Sequence, residues 1–195
     1  MKVGILGGGP AGLYAAIRLK QVRPDTDIVL HEQNSPNATW GFGVVFSDRA
    51  LEFLRGDDPE TADLIEPRME AWSTIRINHA GESVDIDGIG FRSIGRLEML
   101  RLLQSRVSDL GVQPVYNSRL GDLAVFDHCD LVIAADGLNS VVRSSEPDAF
   151  QTSIDYLNNR FVWYGAECAF DALTQTFKRT EYGDFNAHHS VSYTH

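Results

Sequence analysis

The glycine-rich N-terminal segment constrains the fold of this chain more than any other part of its sequence. The apolar run from Lys2 to Leu6 has the length of a buried parallel strand, and a block of glycines ends it. Apolar residues recur at helical spacing after Pro10, and the run from Asp27 to Glu32 is typical of a second strand. A strand that turns directly into a helix and returns to a strand predicts a β-α-β unit over residues 1–32.

The turn between this strand and helix has the spacing G-x-G-x-x-G. The first glycine permits a tight turn, the second lets a pyrophosphate approach the backbone, and the third lets helix and strand pack closely. The helix N-terminus behind the turn presents N–H groups and a partial positive charge to phosphates. The pattern therefore predicts a dinucleotide-binding site formed by Gly7, Gly9, Pro10, Ala11 and Gly12.

Glu32 ends the second predicted strand, twenty residues beyond Gly12. An acidic side chain at that position accepts hydrogen bonds from the ribose of an adenosine. The alternative is an unrelated surface glutamate, but the strand, turn, helix and acid occur together and favour the binding site. We therefore expect Glu32 and its neighbour Gln33 to bind the cofactor. FAD and NAD both carry this adenosine, so the pattern does not separate them.

A second motif follows the buried strand predicted at Asp130 to Ala135. Asp136 and Gly137 begin a polar turn that continues to Arg143. This segment resembles the Asp-Gly fingerprint of the aromatic-hydroxylase family of flavoprotein monooxygenases, in which the aspartate helps to hold FAD and is implicated in its reduction by a nicotinamide nucleotide. Alone, the motif is equally consistent with an ordinary turn after a strand. Next to the N-terminal glycine pattern it favours FAD.

Further segments resemble one branch of that family, which contains the salicylyl-CoA and anthraniloyl-CoA hydroxylases and the hydroxylases of violacein synthesis. Trp40 to Ser47 resembles the branch's loop near the flavin, and Ser93 to Leu100 resembles its helix start, where an arginine contacts FAD. Residues 161–165 and 182–188 resemble strands of its substrate domain. The resemblance implies further cofactor-binding residues, which are Val44, Val45, Arg96, Leu120, Ala135, Asp136 and Gly137.

The resemblance also implies an activity. In this family NADH or NADPH reduces FAD, and an oxygen atom from O2 is transferred to a small aromatic substrate, either free or as a CoA thioester. The cofactor carries the chemistry, while the protein orients the substrate and excludes water. We therefore expect an FAD-dependent monooxygenase and predict no catalytic side chain.

The predicted fold class is α/β. We expect a Rossmann-type FAD-binding domain over residues 1–151, with an inserted β-hairpin whose strands are Trp72 to Asn78 and Ser83 to Asp87. Short strands rich in β-branched and aromatic residues then predict the start of an antiparallel substrate-domain sheet over residues 152–195.

Local patterns predict the connecting elements. A loop rich in Asn, Gly and Pro covers residues 33–46, and Ser47 is a plausible helix cap. Leucines at helical spacing predict a helix that ends at Gly111, followed by a strand at Val112 to Tyr116.

The end of the sequence affects these expectations. Family members carry a Gly-Asp motif that binds the flavin's ribityl chain far downstream, and the sequence stops at His195 before it. We therefore expect an N-terminal portion with an incomplete substrate domain, whose exposed strand edges favour self-association. The alternatives are a non-catalytic FAD-binding fragment and, less favoured, an NAD-dependent dehydrogenase.

Composition limits the partners. The formal net charge of -10 disfavours nucleic acid and anionic membrane surfaces. Cys129 and Cys168 form no metal-binding or redox motif, which together with the absence of an apolar run long enough to span a membrane predicts a cytoplasmic protein. His188 and His189 are adjacent in a predicted strand and point to opposite faces, so we predict no metal site.

Overall fold

The computed structural model describes residues 1–165, 168 and 170–189. Its strands are β1 (Lys2–Leu6), β2 (Asp27–His31), β3 (Gly43–Ser47), β4 (Glu70–His79), β5 (Glu82–Gly95), β6 (Leu131–Ala134), β7 (Leu173–Thr180) and β8 (Gly183–His188). Its α-helices are α1 (Pro10–Val22), α2 (Asp48–Asp57), α3 (Pro59–Ile65), α4 (Arg96–Asp109), α5 (Val141–Ser145) and α6 (Pro147–Phe150). None of the helices in the described ranges is long and apolar enough to cross a membrane.

The chain forms two compact units. The first comprises Met1–Ala38 and Leu100–Val162, and the second comprises Thr39–Met99 and Trp163–His195. Each unit is thus assembled from two separate stretches of sequence. The predicted domains, residues 1–151 and 152–195, divide the chain at a single position, and that division stays a prediction.

The first unit is built on a parallel sheet with the strand order β2-β1-β6. Leu6, at the end of β1, pairs with His31 on one side and with Ala134 on the other, so the carboxyl ends of the three strands are level. The predicted strand–helix–strand order of residues 1–32 and the predicted strand near residue 131 are confirmed. The parallel sheet places the glycine-rich turn and the Asp-Gly motif at the same sheet edge.

The core of the first unit explains the apolar pattern of its elements. Gly4 lies where an added Cβ would be 2.4 Å from the Phe126 ring, so a glycine inside β1 lets that ring pack on the strand. Burying each large apolar side chain contributes roughly 1.5 to 3 kcal/mol. The side chains with no more than 2% exposure in this core include Val3, Ile5, Leu13, Ile17, Leu30, Val107 and Phe126.

The second unit contains a five-stranded sheet with the order β3-β5-β4-β7-β8. The predicted hairpin forms its centre, and both hairpin strands are longer than the sequence indicated. β7 pairs with β4 in parallel, and the other pairs are antiparallel. The hairpin therefore shares one sheet with the strands predicted for the substrate domain. Self-association through the edge strands of this sheet stays a prediction.

Three local predictions are wrong. The loop predicted over residues 33–46 ends early, because β3 begins at Gly43 and pairs with Gly95 of β5. Residues 112–116 form only an isolated bridge between His31 and Val115, and the left-handed backbone of Asn117 (φ 54°) interrupts the extended conformation. Residues 161–165 are not a strand, although their side chains have high β-propensity. In all three segments the observed structure depends on whether a distant partner is available, which the local sequence does not show.

The predicted start of α2 and the predicted end of α4 agree with the structure. The Ser47 side chain accepts a hydrogen bond from the Ala50 N–H at 3.2 Å and caps α2, as predicted. Gly111 has a left-handed backbone (φ 80°) just after α4, which is the conformation for which glycine is favoured at a helix end.

The hairpin turn gives the first testable prediction. His79 pairs with Glu82, so Ala80 and Gly81 form a two-residue turn in which both have positive φ, 52° and 87°. Alanine tolerates this conformation poorly, because its Cβ approaches the following carbonyl oxygen. Ala80→Asn should raise the free energy of unfolding by about 0.5 to 1 kcal/mol, measured by urea denaturation. Ala80→Val should lower it, and equal stability of all three proteins would contradict the turn geometry.

Candidate functional site

At Gly7, the first glycine of the turn, backbone contacts leave no room for a side chain. Gly7 has a left-handed backbone (φ 107°), and its N–H donates to the His31 carbonyl oxygen at 2.8 Å. A Cβ on Gly7 would lie 2.3 Å from the carbonyl oxygen of Ala135. Glycine is therefore required here both for the turn and for the close approach of β6.

The third glycine of the motif lets α1 start directly against the turn. A Cβ on Gly12 would lie 1.9 Å from the Gly7 carbonyl oxygen, whereas one on Gly9 would meet nothing within 4 Å. Gly9 is the N-cap residue and has no side chain with which to cap the helix, and Pro10 follows it. The helix N-terminus therefore faces the open space beside Gly9 with its first N–H groups unused by the helix. This arrangement suits an anion.

Glu32 lies against the same turn. Its Oε2 accepts a hydrogen bond from the Gly8 N–H at 2.7 Å, and its Oε1 accepts from the Asn34 N–H and the Asn34 Nδ2, both at 2.8 Å. The carboxylate is half-buried. The structure thus brings the predicted ribose-binding acid to the glycine motif.

The Asp-Gly motif reaches the turn from β6. The Ala135 N–H donates to the Leu6 carbonyl oxygen at 2.7 Å, which continues the β1–β6 pairing. Asp136 then turns back, and its Oδ2 accepts a hydrogen bond from the Val141 N–H at 2.7 Å. Gly137 has a left-handed backbone (φ 79°). The two predicted motifs therefore meet at the carboxyl ends of neighbouring parallel strands, which is where open α/β sheets bind ligands.

The remaining predicted cofactor-binding residues lie outside the two motifs. Gln33 is exposed beside Glu32, and Leu120 is half-buried in a loop of the first unit. Val44 and Val45 lie on β3 in the second unit, paired with Ile94 and Ser93 of β5. Those two valines therefore sit on a strand that the sequence had assigned to a loop.

Arg96 belongs to the second unit and begins α4. Its N–H donates to the Phe42 carbonyl oxygen at 2.9 Å, which joins the helix start to the segment before β3. In the part of the chain that the structure describes, the buried Arg96 Nε has no hydrogen-bond partner. A buried guanidinium donor without a partner is uncommon and is consistent with a ligand contact.

Sequence reasoning missed the residues that support Glu32. The Asn34 side chain was not singled out, although asparagine commonly hydrogen-bonds nearby backbone and polar groups in turns. Residues 115–118 run beside the end of β2, where the Glu32 N–H donates to the Val115 carbonyl oxygen and the Ser118 N–H donates to the Glu32 carbonyl oxygen, both at 2.9 Å. No local pattern signals this pairing, because the two segments are distant in sequence.

Two titratable groups lie close to this region. His31 is buried, its Nδ1 is 2.8 Å from the Ser118 Oγ, and its ring packs edge-on against Phe126 at 5.6 Å. Burial lowers the pKa of His31. Burial raises the pKa of Tyr116, and the negative charge of Glu32 raises it further. Both shifts reflect a poorly solvated surrounding for residues next to the Glu32 backbone.

Of the adjacent histidines, His188 is exposed and His189 packs against aromatic rings. The His189 ring stacks on Phe170 at 4.0 Å and meets Trp72 edge-on at 5.0 Å. Burial lowers the pKa of His189. Across the described residues, no group of three or more His, Cys, Asp or Glu is placed to hold a metal ion.

Comparison with solved structures identifies the class of the fold. The structure resembles the tetrameric form of 2-methyl-3-hydroxypyridine-5-carboxylic acid oxygenase, with a TM-score of 0.64 and 29% sequence identity, over 74% of this chain and 41% of that one. It also shares its fold with CtdE, solved in complex with FAD and a substrate, with a TM-score of 0.59 and 23% identity over 74% of this chain and 40% of that one. The fold is a mixed α/β fold like that of FAD-dependent oxygenases.

Curated relatives narrow this class. Salicyloyl-CoA 5-hydroxylase of Streptomyces sp is 37% identical over 188 residues, covering 96% of this chain and 36% of the relative. A 3-hydroxy-4-methyl-anthranilyl-(aryl-carrier protein) 5-monooxygenase of Streptosporangium sibiricum is 30% identical, covering 96% of this chain and 53% of the relative. Protodeoxyviolaceinate monooxygenase of Chromobacterium violaceum is 30% identical, covering 100% and 52%. These homologues confirm the resemblance drawn from the sequence motifs.

The extent of these matches is limited. The chain spans about a third to a half of the length of these curated relatives, namely 36%, 53% and 52%. No family model matches the sequence.

Gly12 gives the second testable prediction. Because a Cβ at this position would overlap the Gly7 carbonyl oxygen, Gly12→Ala forces α1 away from the turn. We expect its free energy of unfolding to fall by about 1 to 3 kcal/mol, which is the usual cost of overpacking. Gly9→Ala is the matched control, since the space around it is open, and its loss should be under about 1 kcal/mol. Equal losses in both variants, measured by chemical denaturation, would contradict the close approach.

His31 gives the third testable prediction. Its pKa is lower in the folded chain than in the unfolded chain, so the unfolded chain binds the proton more readily. Stability should therefore be complete above about pH 6.5 and should fall as the pH is lowered towards 5. In His31→Gln this part of the pH dependence should be absent, as measured by denaturation at several pH values. His128→Gln removes an exposed histidine instead and should behave as wild type.

Proposed function

We propose that this chain supplies the part of an FAD-dependent aromatic monooxygenase that binds the adenosine diphosphate half of FAD. The observation that carries the proposal is the Glu32 carboxylate, fixed 2.7 Å from the Gly8 N–H at the edge of the glycine-rich turn. There it lies beside a helix N-terminus with no side-chain cap. An acceptor for ribose hydroxyls and donors for phosphates are thus placed together.

The residues of the glycine-rich turn are suited to bind the adenosine diphosphate half of FAD. At Gly7 and Gly12 the protein backbone itself occupies the place of a Cβ, which holds the turn tight against α1 and β6, while the space beside Gly9 is open to a ligand. The pyrophosphate would lie at the open side of Gly9, where it meets the N–H groups at the start of α1. With its parallel β2-β1-β6 order, the first unit supports a Rossmann-type arrangement.

FAD is favoured over NAD by several independent considerations. The relatives carry the names of a hydroxylase and of monooxygenases, and CtdE is solved with FAD. The Asp136-Gly137 turn lies at the carboxyl end of β6 beside the glycine-rich turn. Arg96 remains a proposed FAD ligand, and its unpartnered Nε supports that role.

The proposed chemistry depends on the bound flavin. FAD, reduced by NADH or NADPH, supplies the activation of O2 and the transfer of one oxygen atom to an aromatic ring. The first unit contributes binding and orientation. Gly9, Ala11 and Gly12 would bind the pyrophosphate, and Glu32 would accept a hydrogen bond from the ribose. Asp136 fixes the neighbouring turn by accepting a hydrogen bond from the Val141 N–H.

The proposed substrate is a small aromatic compound. One relative is named for a CoA thioester and another for an aryl group on a carrier protein. These names support an aromatic acyl group on a thioester carrier.

Glu32 gives the fourth testable prediction. Glu32→Lys removes the acceptor for the ribose and places a cation on the glycine-rich turn, so we expect FAD affinity to fall by about 1.5 to 3 kcal/mol. The measurement is a fluorescence titration of the purified chain with FAD. Glu52→Lys makes the same change of charge at an exposed position of α2 and serves as the control. Equal FAD affinity in wild type and Glu32→Lys would remove Glu32 from the site, and binding of NADH without FAD would favour a dehydrogenase.

A further inference from the structure

The Glu32 carboxylate has most of its acceptor capacity already used. A carboxylate offers about four lone-pair sites, two on each oxygen. Oε1 accepts two hydrogen bonds, from the Asn34 N–H and the Asn34 Nδ2, each at 2.8 Å. Oε2 accepts one, from the Gly8 N–H at 2.7 Å. The remaining acceptor site is therefore on Oε2, and its direction is set by the three donors.

Gly8 leaves room for the Glu32 carboxylate against the turn. The G-x-G-x-x-G motif itself allows any residue at position 8. A Cβ on Gly8 would lie 2.8 Å from the Glu32 Cβ and 3.2 Å from its Cγ. The glycine is therefore needed for space, because any side chain would push the glutamate off the turn.

Asn34 holds the other oxygen of the Glu32 carboxylate, Oε1. A half-buried glutamate side chain has several rotamers and loses that freedom when a ligand fixes it. Two donors from Asn34 hold Oε1 before any ligand arrives, so less ordering remains for binding. The backbone of this segment is anchored separately, since the Asn117 N–H donates to the Asn34 carbonyl oxygen at 3.0 Å and the Ser118 N–H to that of Glu32 at 2.9 Å. The Asn34 side chain can thus be changed without removing these backbone bonds.

We propose that Asn34 is a positioning residue, which with Gly8 fixes the Glu32 carboxylate so that Oε2 accepts the 2′-hydroxyl of an adenosine ribose. This inference rests on the proposed function, because it names how the same site recognises its ligand. Asn34 acts through Glu32, and its effect depends on the presence of that carboxylate and of the ligand hydroxyl.

The experiment titrates the purified chain with ADP and with 2′-deoxy-ADP by calorimetry. Wild type should prefer ADP, and Asn34→Ala should weaken ADP binding about 3- to 10-fold while weakening 2′-deoxy-ADP binding less. Asn34→Ser keeps a side-chain donor and should recover part of the preference. In a Glu32→Ala background, Asn34→Ala should cause no further loss, since the group that it positions is absent.

Asn37→Ala is the matched control. Asn37 lies in the same loop and accepts hydrogen bonds from Arg101 at 3.2 and 3.3 Å. Its replacement should leave both affinities unchanged, and circular dichroism should show the wild-type fold for every variant.

Three results would overturn the inference. The first is an equal loss of ADP and 2′-deoxy-ADP binding in Asn34→Ala, which indicates a general structural effect. The second is a wild-type chain that binds ADP and 2′-deoxy-ADP equally well. The third is a further loss in the Glu32→Ala background. A wild-type chain that binds neither ADP nor FAD would instead overturn the proposed function, and with it this inference.

Discussion

The first unit depends on backbone packing directly against backbone at the ends of β1 and β6. The carbonyl oxygen of Ala135 occupies the place of a Gly7 side chain, and the carbonyl oxygen of Gly7 occupies that of a Gly12 side chain. These contacts bring the end of β6, the glycine-rich turn and the start of α1 into direct backbone contact. The helix N-terminus, the Asp-Gly turn and Glu32 are placed by these contacts, so the candidate site depends on the absence of side chains at Gly7 and Gly12.

Polar groups surround this backbone packing and are themselves poorly solvated. The backbone of residues 115–118 runs beside the end of β2, and the buried His31 below it contacts Ser118 and Phe126. Because these groups are poorly solvated, a mobile or unpaired charge there is costly. Glu32 meets this constraint with three short hydrogen bonds and remains half-buried at the surface.

The sequence predicted what is encoded locally. Residues 2–32 carry their own strand, turn and helix signals, and Ser47 and Gly111 mark helix ends by their chemistry. The failures involve distant partners. β3 exists because Gly43 pairs with Gly95, and residues 161–165 carry strand-forming side chains without forming a strand. For the site, the motif predicted Gly7, Gly12 and Glu32, whereas the proposed role of Asn34 depends on the orientation of the Glu32 carboxylate, which no local pattern gives.

The parallel pairing of β4 with β7 has a consequence for synthesis on the ribosome. β4 and β5 can form their hairpin as soon as they emerge, but Ile75 pairs with Leu173, about 100 residues later in the chain. At ordinary translation rates this leaves one edge of β4 without its partner for roughly 5 to 20 s. During that interval the nascent chain presents an open strand edge, which is the kind of transient surface that favours association with other chains.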